Sequence, residues 1–266
     1  MQTHDPWPMR LSTSSVQFGS LPIERVCERI AALGFDAIDI WAEFYACRHL
    51  DDAAERLGAD GLRDLLAKHN LQLSAITVYL SSYEPFAKLL GRLGGGIAIR
   101  SAPEGEVVPE DLTRHMKSFF EQLKPLIDLA EQYDSYLAIE NYASGFLLTT
   151  LDSFKAFMDL NPSPRVGVAL APYHLQANGT SVTEAIRLLD DQLLFFYAWQ
   201  RQPELNQLPG YGTTDVVPWL KALAEIGYAG YVNPFMRGEP EPDAMCAALS
   251  TSRDHLLTRH QRALAD

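Results

Sequence analysis

The sequence predicts an α/β protein, a single-domain (β/α)8 barrel of the TIM type spanning residues 1–266. Three observations carry this. Short apolar runs alternate with longer segments of helical period, the pattern of parallel strands joined by crossover helices. The runs number eight, with no shift in composition to mark a domain boundary. The GxGxxG signature that an open doubly wound sheet usually carries after its first strand is absent, and the first run continues into "VQFGSLP".

The strand-like runs are "RLSTSSV" (10–16), "AIDIW" (37–41), "LQLSAITVY" (71–79), "IAIRSA" (97–102), "YLAIEN" (136–141), "VGVALA" (166–171), "LLFFYAW" (193–199) and "YVNPFM" (231–236). Residues 1–9 precede the first run as an N-terminal extension. The first helix is expected over 22–34, because Pro22 opens it, Ile23, Val26, Cys27, Ile30 and Leu33 share a face, and Gly34 stops it. Others are expected over 60–70, 153–160, 181–191 and 216–227. The segment 110–134 contains Pro125, which predicts a kink or a break into two helices. "LGGGIAI" (93–99) ends one helix and starts the fourth strand, and a closing helix follows residue 240 with a polar, frayed end over about 255–266.

Composition narrows the function. A 47% hydrophobic content over 266 residues suffices for one large core, and barrels of this length commonly fold as one domain. A formal net charge of -12 without a Lys/Arg run opposes a nucleic-acid partner. Cys27, Cys47 and Cys246 form no CxxC pair, which argues against a disulfide framework or a zinc-thiolate site. The opening residues lack the apolar stretch of a signal peptide, and no segment has the roughly 18 uninterrupted apolar residues of a membrane span. A cytoplasmic protein with no membrane partner is the expectation, and a homo-oligomer is left open.

In such barrels the chemistry sits at the C-terminal ends of the strands. Glu140 is the leading candidate, because an apolar strand delivers a carboxylate to its end and a buried carboxylate needs a partner. The competing role is structural, a bond to a backbone amide or to Arg100. His174, four residues past a buried strand, is either held by a loop carbonyl or acts as a substrate hydrogen bond, metal ligand or general acid. His49 reads more simply as a helix-start histidine. "LPGYGTTD" (208–215) could present amides to an anion, although turn chemistry explains its glycines as well. Trp199 or Tyr197 could stack on a sugar ring. Arg100, Arg201 and Arg237 could meet an anionic group, each competing with a surface ion-pair role. GxSxG, GxxxxGK[ST] and HExxH are all absent.

Strand by strand, "GFDAIDIW" (34–41), "LAIEN" (137–141), "VGVALAPYH" (166–174) and "LPGYGTTDVVPWLKALAEIGYAGY" (208–231) resemble the xylose isomerase-like superfamily of sugar isomerases and epimerases. The resemblance spans nearly the whole chain and implies a small-carbohydrate substrate. It also implies a divalent metal held by a glutamate, an aspartate, a histidine and a second glutamate, with the two glutamates moving the proton. Glu140 matches the first glutamate, and His174 matches a substrate-binding histidine three residues after the aspartate. Ala171 falls on the aspartate, Tyr197 or Gln200 on the metal histidine, and Phe235 or Asn233 on the second glutamate.

Alanine, tyrosine and phenylalanine do not replace those ligands, so no tightly bound cofactor is expected. A weak divalent site (Mn, Mg or Zn) on Glu140, His174 and Gln200 is left open. The resemblance therefore implies proton transfer next to a carbonyl, with Glu140 as base and His174 as acid or oxyanion donor. His49, Tyr79, Arg100, Asn141, Tyr173, Trp199, Gln200, Asn233 and Arg237 are the substrate-binding candidates. Two alternatives stand: a lyase of the same superfamily that eliminates from an oxidised glycoside, and a non-catalytic barrel that binds a sugar or a partner protein.

Overall fold

The computed structural model describes residues 7–45, 47–79, 82–105, 108–238 and 240–265. Eight parallel strands close in chain order into a barrel: β1 (Arg10–Ser14), β2 (Ala37–Trp41), β3 (Gln72–Thr77), β4 (Gly96–Ser101), β5 (Ser135–Glu140), β6 (Val166–Leu170), β7 (Leu193–Ala198) and β8 (Tyr231–Pro234). β8 returns to β1 through Leu11 opposite Val232. The chain is thus a (β/α)8 TIM barrel.

All eight strands fall within the expected runs to a residue or two. The first, third and eighth strands each stop two residues short, the first because the chain tightens into a 3-10 turn over Ser15–Phe18.

The helices are α1 (Ile23–Ala32), α2 (His49–Arg56), α3 (Gly58–Lys68), α4 (Glu84–Leu93), α5 (Leu112–Gln132), α6 (Leu151–Leu160), α7 (Pro172–Ala177), α8 (Val182–Leu189), α9 (Val217–Glu225) and α10 (Pro242–Ala265). Gly34 lies two residues past α1 at φ 75°, a left-handed conformation that glycine takes without strain.

The break allowed for at Pro125 and the frayed C-terminal end need correction. α5 runs unbroken through Pro125. The proline removes one amide and frees the Glu121 carbonyl, but both residues lie on the exposed face, where water can take that bond. The C-terminal segment is likewise helical to Ala265, with Leu256 and Ala263 buried. His260 Nε2 donates to the Trp7 carbonyl at 2.9 Å, and Trp7 donates from its indole to the Tyr228 carbonyl at 2.6 Å. Trp7, within the predicted extension, is therefore packed against the base of the barrel, while residues 1–6 and 266 lie outside the described residues.

The period-two alternation of strand side chains separates two cores. The outer one fills the layer between strands and helices. The inner one lies along the barrel axis and is lopsided. Ala75, Ala138, Ala169 and Ala171 come from β3, β5 and the end of β6, against the aromatic rings of Trp41, Phe195, Tyr197, Trp199 and Phe235 from β2, β7 and β8. Small residues opposite large ones let the rings cross the axis at close packing.

Candidate functional site

A cavity of about 840 Å³ opens at the C-terminal ends of the strands. Glu140, the last residue of β5, forms part of its wall and is only 2% exposed. Ala171 caps the N-terminus of α7, and Pro172 occupies the first turn, where its missing amide costs nothing. That short helix turns His174 toward Glu140: Nε2 stands 3.9 Å from Oε1. Neither Glu140 Oε2 nor His174 Nε2 has a hydrogen-bond partner among the described residues.

These two groups do not form an ion pair. Burial pushes the Glu140 carboxyl well above the usual carboxylate range; Arg237 opposes that rise and the nearby Asp39 adds to it. Burial pulls His174 down to about 3, helped by the positive charges of Arg237 and Arg201. Both partners shift toward neutrality, as expected of groups enclosed without a compensating bond. His174 is therefore a neutral imidazole, able to offer an N–H but not to act as an imidazolium acid.

Of the residues proposed from the sequence, Tyr79, Trp199 and Arg237 also line the cavity. Tyr173 stacks on Trp199 with ring centroids 4.3 Å apart, and the Arg237 guanidinium lies 5.4 Å from the centre of the Trp199 ring.

The remaining candidates are engaged elsewhere. Arg100 lies on the outer face of β4, whose inward positions are Ile97, Ile99 and Ser101. Burial lowers its pKa there, opposed by Glu84 at the start of α4. His49 is buried beneath the β1–α1 connection, with Nε2 donating to the Leu21 carbonyl at 2.7 Å and Nδ1 3.3 Å from Cys47 Sγ. Asn141 bonds both backbone groups of Ala171, accepting from its amide at 2.6 Å and donating to its carbonyl at 3.2 Å. It therefore fixes the origin of α7 and, through it, His174.

Gln200 is withdrawn from the weak metal site suggested by the sequence. Its amide group donates to the Leu208 carbonyl at 2.7 Å, and its oxygen accepts from the Thr214 amide at 3.1 Å. Those bonds fasten the glycine-containing loop before α9, and Gly212 packs too close to Gln200 to admit a Cβ. Asn233 is equally enclosed, donating to Ser12 Oγ at 3.0 Å and accepting from Ser14 Oγ at 3.4 Å.

Sequence reasoning passed over Asp39. Its carboxylate, fully buried in β2, accepts from Ser14 Oγ at 2.7 Å, Thr77 Oγ1 at 2.8 Å and the Trp41 indole at 2.6 Å. Burial nevertheless raises it to about 7 against those three bonds. The available signal was an acid at the centre of "AIDIW", on the same strand face as Ala37 and Trp41. The cavity's aromatic lining was also underestimated: Trp41, Phe44, Tyr142, Phe146 and Phe235 all belong to it.

The donor chemistry does not match the metal set implied by the resemblance. Ala171 has no donor atom, Tyr197 is fully buried with its phenol pKa raised far above normal, Phe235 is apolar, and Gln200 and Asn233 are engaged. Among the described residues no group of three or more His, Cys, Asp or Glu side chains could hold a metal. Of the weak site suggested by the sequence, Glu140 and His174 are the two members that stand together, 3.9 Å apart.

The barrel and its strand-end acid define the class. The chain belongs to the xylose isomerase-like TIM barrel family, which it matches over residues 27–254. It is similar to D-psicose 3-epimerase of Enterocloster bolteae, 26% identical over 242 residues that cover 80% of this chain and 77% of that protein. Among solved structures it resembles the IolI protein with a bound zinc atom, with a TM-score of 0.75, 17% identity, and coverage of 97% of this chain and all of that one. It also resembles 3-keto-D-glucoside 4-epimerase from E. coli, with a TM-score of 0.73, 17% identity, and coverage of 93% of this chain and 100% of that one. At such identities the structural likenesses speak for the fold. No helix among the described residues is long and apolar enough to cross a membrane.

Proposed function

We propose that this protein is a cytoplasmic sugar isomerase/epimerase-like enzyme that moves a proton next to the carbonyl of a small carbohydrate, with Glu140 as base and no dependence on the family metal. The observation that carries the reading is the Glu140 carboxyl, buried on the cavity wall with one oxygen unpartnered. A carboxyl with a raised pKa is a stronger base once ionised, and a polar ligand in the cavity supplies the missing solvation. In this reading the neutral His174, 3.9 Å from Glu140, donates from its unpartnered Nε2 to the substrate oxygen on which charge develops. Arg237 contributes positive charge to the same side of the cavity. The sugar epimerases among the relatives point to the same substrate class.

Elimination from an oxidised glycoside is the second reading. It needs only one base, and the β8 positions where the resemblance calls for a second one hold Asn233 and Phe235. Incubating D-fructose, D-psicose and methyl 3-keto-β-D-glucopyranoside with the protein in deuterium oxide separates the readings by proton NMR. Isomerase chemistry exchanges the C–H next to the carbonyl and yields an epimer or isomer. Elimination releases methanol. Glu140→Gln should abolish either process. A protein that binds these sugars but exchanges no C–H would be a binding barrel, and the proposed reaction would fall.

A further inference from the structure

We infer that the cavity is built for a carbohydrate carrying a planar apolar substituent, an aryl glycoside in its simplest form, rather than for a free monosaccharide. The inference rests on the proposed function and adds the class of substrate. The cavity's polar groups are unevenly placed. Glu140 and Arg237 line it at the ends of β5 and β8, with Ser101, Glu104 and Tyr142 from the loops and strand end beside β5, and His174 of α7 stands 3.9 Å from Glu140; a carbonyl and hydroxyls could be met there.

The wall contributed by β2 and β3 is aromatic. Trp41 stands edge-on to Phe44 at 5.2 Å and to Tyr79 at 4.9 Å, and stacks on Phe235 at 5.6 Å with an interplanar angle of 13°. Aromatic walls alone are compatible with a bare sugar, whose C–H faces also stack on rings, so the polar atoms of those rings decide the matter. The Trp41 indole N–H is bound to Asp39 and the Trp199 N–H to Gln207 Oε1 at 2.8 Å. The Tyr79 hydroxyl meets that of Tyr197 at 3.5 Å. These rings present π-faces and edges with their polar atoms already engaged. A free monosaccharide would leave hydroxyls unpaired against them, a penalty an aryl group does not carry.

Size and rim agree. A volume of about 840 Å³ lies toward the upper end of the roughly 300–1,000 Å³ typical of small-molecule pockets, so one sugar ring fills only part of it. At the mouth Tyr45 is 83% exposed, held at φ 52° and set edge-on to Phe44 at 4.7 Å. A bulky side chain in the left-handed region is strained, and this one extends the aromatic wall outward to the lip.

Isothermal titration with 4-nitrophenyl β-D-glucopyranoside, methyl β-D-glucopyranoside, D-glucose and 4-nitrophenol tests the inference. It should be run on the wild type, Phe44→Ala, Tyr45→Ala and Glu140→Gln. The nitrophenyl glucoside is expected to bind at least about tenfold tighter than the methyl glucoside, and Phe44→Ala to erase most of that ratio. Tyr45→Ala, at an exposed site, guards against a folding artefact and should lower the ratio about threefold. Equal affinities for the two glucosides, a ratio indifferent to both aromatic changes, or free 4-nitrophenol binding as tightly as its glucoside would each overturn the inference. Because binding is read without turnover and also in Glu140→Gln, its failure is distinct from a failure to exchange the C–H of any carbohydrate.

Discussion

Asp39→Asn isolates the energetic consequence of an acid sealed into the barrel. Burial raises Asp39 from its ordinary 3.8 to about 7. An acid whose folded pKa is raised contributes stability that is fully present below its unfolded pKa and lost as pH climbs through the folded one. The window therefore runs from about pH 4 to about pH 7. Each unit in that interval is worth about 1.4 kcal/mol, so the loss approaches roughly 4 kcal/mol. The side chain has no exposed surface, so solvent screening does not reduce the figure.

Asparagine keeps the geometry: its oxygen can accept from Ser14 and Trp41, while its amide donates to a Thr77 hydroxyl turned to receive it. Urea unfolding of both proteins from pH 4.5 to 9 provides the assay. The stability of the wild type relative to the variant should fall by about 3 kcal/mol between pH 4.5 and 8. Glu140, which is raised, and His174, which is lowered, are common to both proteins and largely cancel. Parallel stability curves across that range would refute the claim that Asp39 titrates near neutrality.

Other outcomes follow from the same contacts. Gln200→Ala should lower stability by about 1–3 kcal/mol, because it leaves the Thr214 amide without its acceptor and removes one of the donors to the Leu208 carbonyl, which keeps the Tyr211 amide, and it should leave manganese and zinc affinity unchanged. A selective loss of metal affinity would restore Gln200 as a ligand. Asn141→Ala removes both bonds to Ala171 and should loosen α7, reducing kcat more than it raises KM; a pure KM effect would instead place Asn141 against the substrate. Dialysis of the wild type against manganese or zinc should give well below one metal per chain and an unmoved thermal melt. Stoichiometric binding with a raised melting temperature would end the metal-independent reading.

Strand positions were legible because parallel strands buried on both faces read as continuous apolar runs, and turn residues bound them. The same property hid the assignment of faces. In "IAIRSA" or "AIDIW" hydrophobicity does not say which residues point to the axis, so Arg100 was placed at the mouth and Asp39 overlooked. The register settles both, since Ser14 pairs with Asp39 and Ser101 with Glu140. The position of Glu140 on the cavity wall and of His174 beside it was legible from chain position, because strand ends and the loop after β6 converge at the C-terminal end of the barrel. The sequence could not show that Asn141 and Gln200 bond the backbone of the next element and Asn233 the hydroxyls of β1: a polar residue at a strand end can serve a neighbouring element as readily as a ligand. Only the location of unpaired amides and carbonyls, a three-dimensional fact, tells these apart.

The altered ligand positions are physically connected on the proposed metal-independent reading. Ala171, Tyr197 and Phe235 belong to one buried cluster around the axis, in which Phe235 meets Tyr197 at 5.2 Å and Trp199 at 4.9 Å. Removing a cation from such a site would leave acidic ligands repelling one another in a desolvated space, so retaining any one of them unpaired is costly. At the positions where the resemblance implies a strand-six and a strand-eight carboxylate, this chain has Ala171 and Phe235, which pack in that cluster. The retained Glu140 carboxyl is pushed well above the usual carboxylate range by burial, with Arg237 as its opposing charge. Reintroducing one carboxylate through Ala171→Asp would therefore raise the pKa of Glu140 further instead of building a metal site. The acidic limb of the pH–rate profile should move to higher pH by about one unit or more. A limb that stays in place while manganese begins to bind stoichiometrically would show that one carboxylate is all the site lacks.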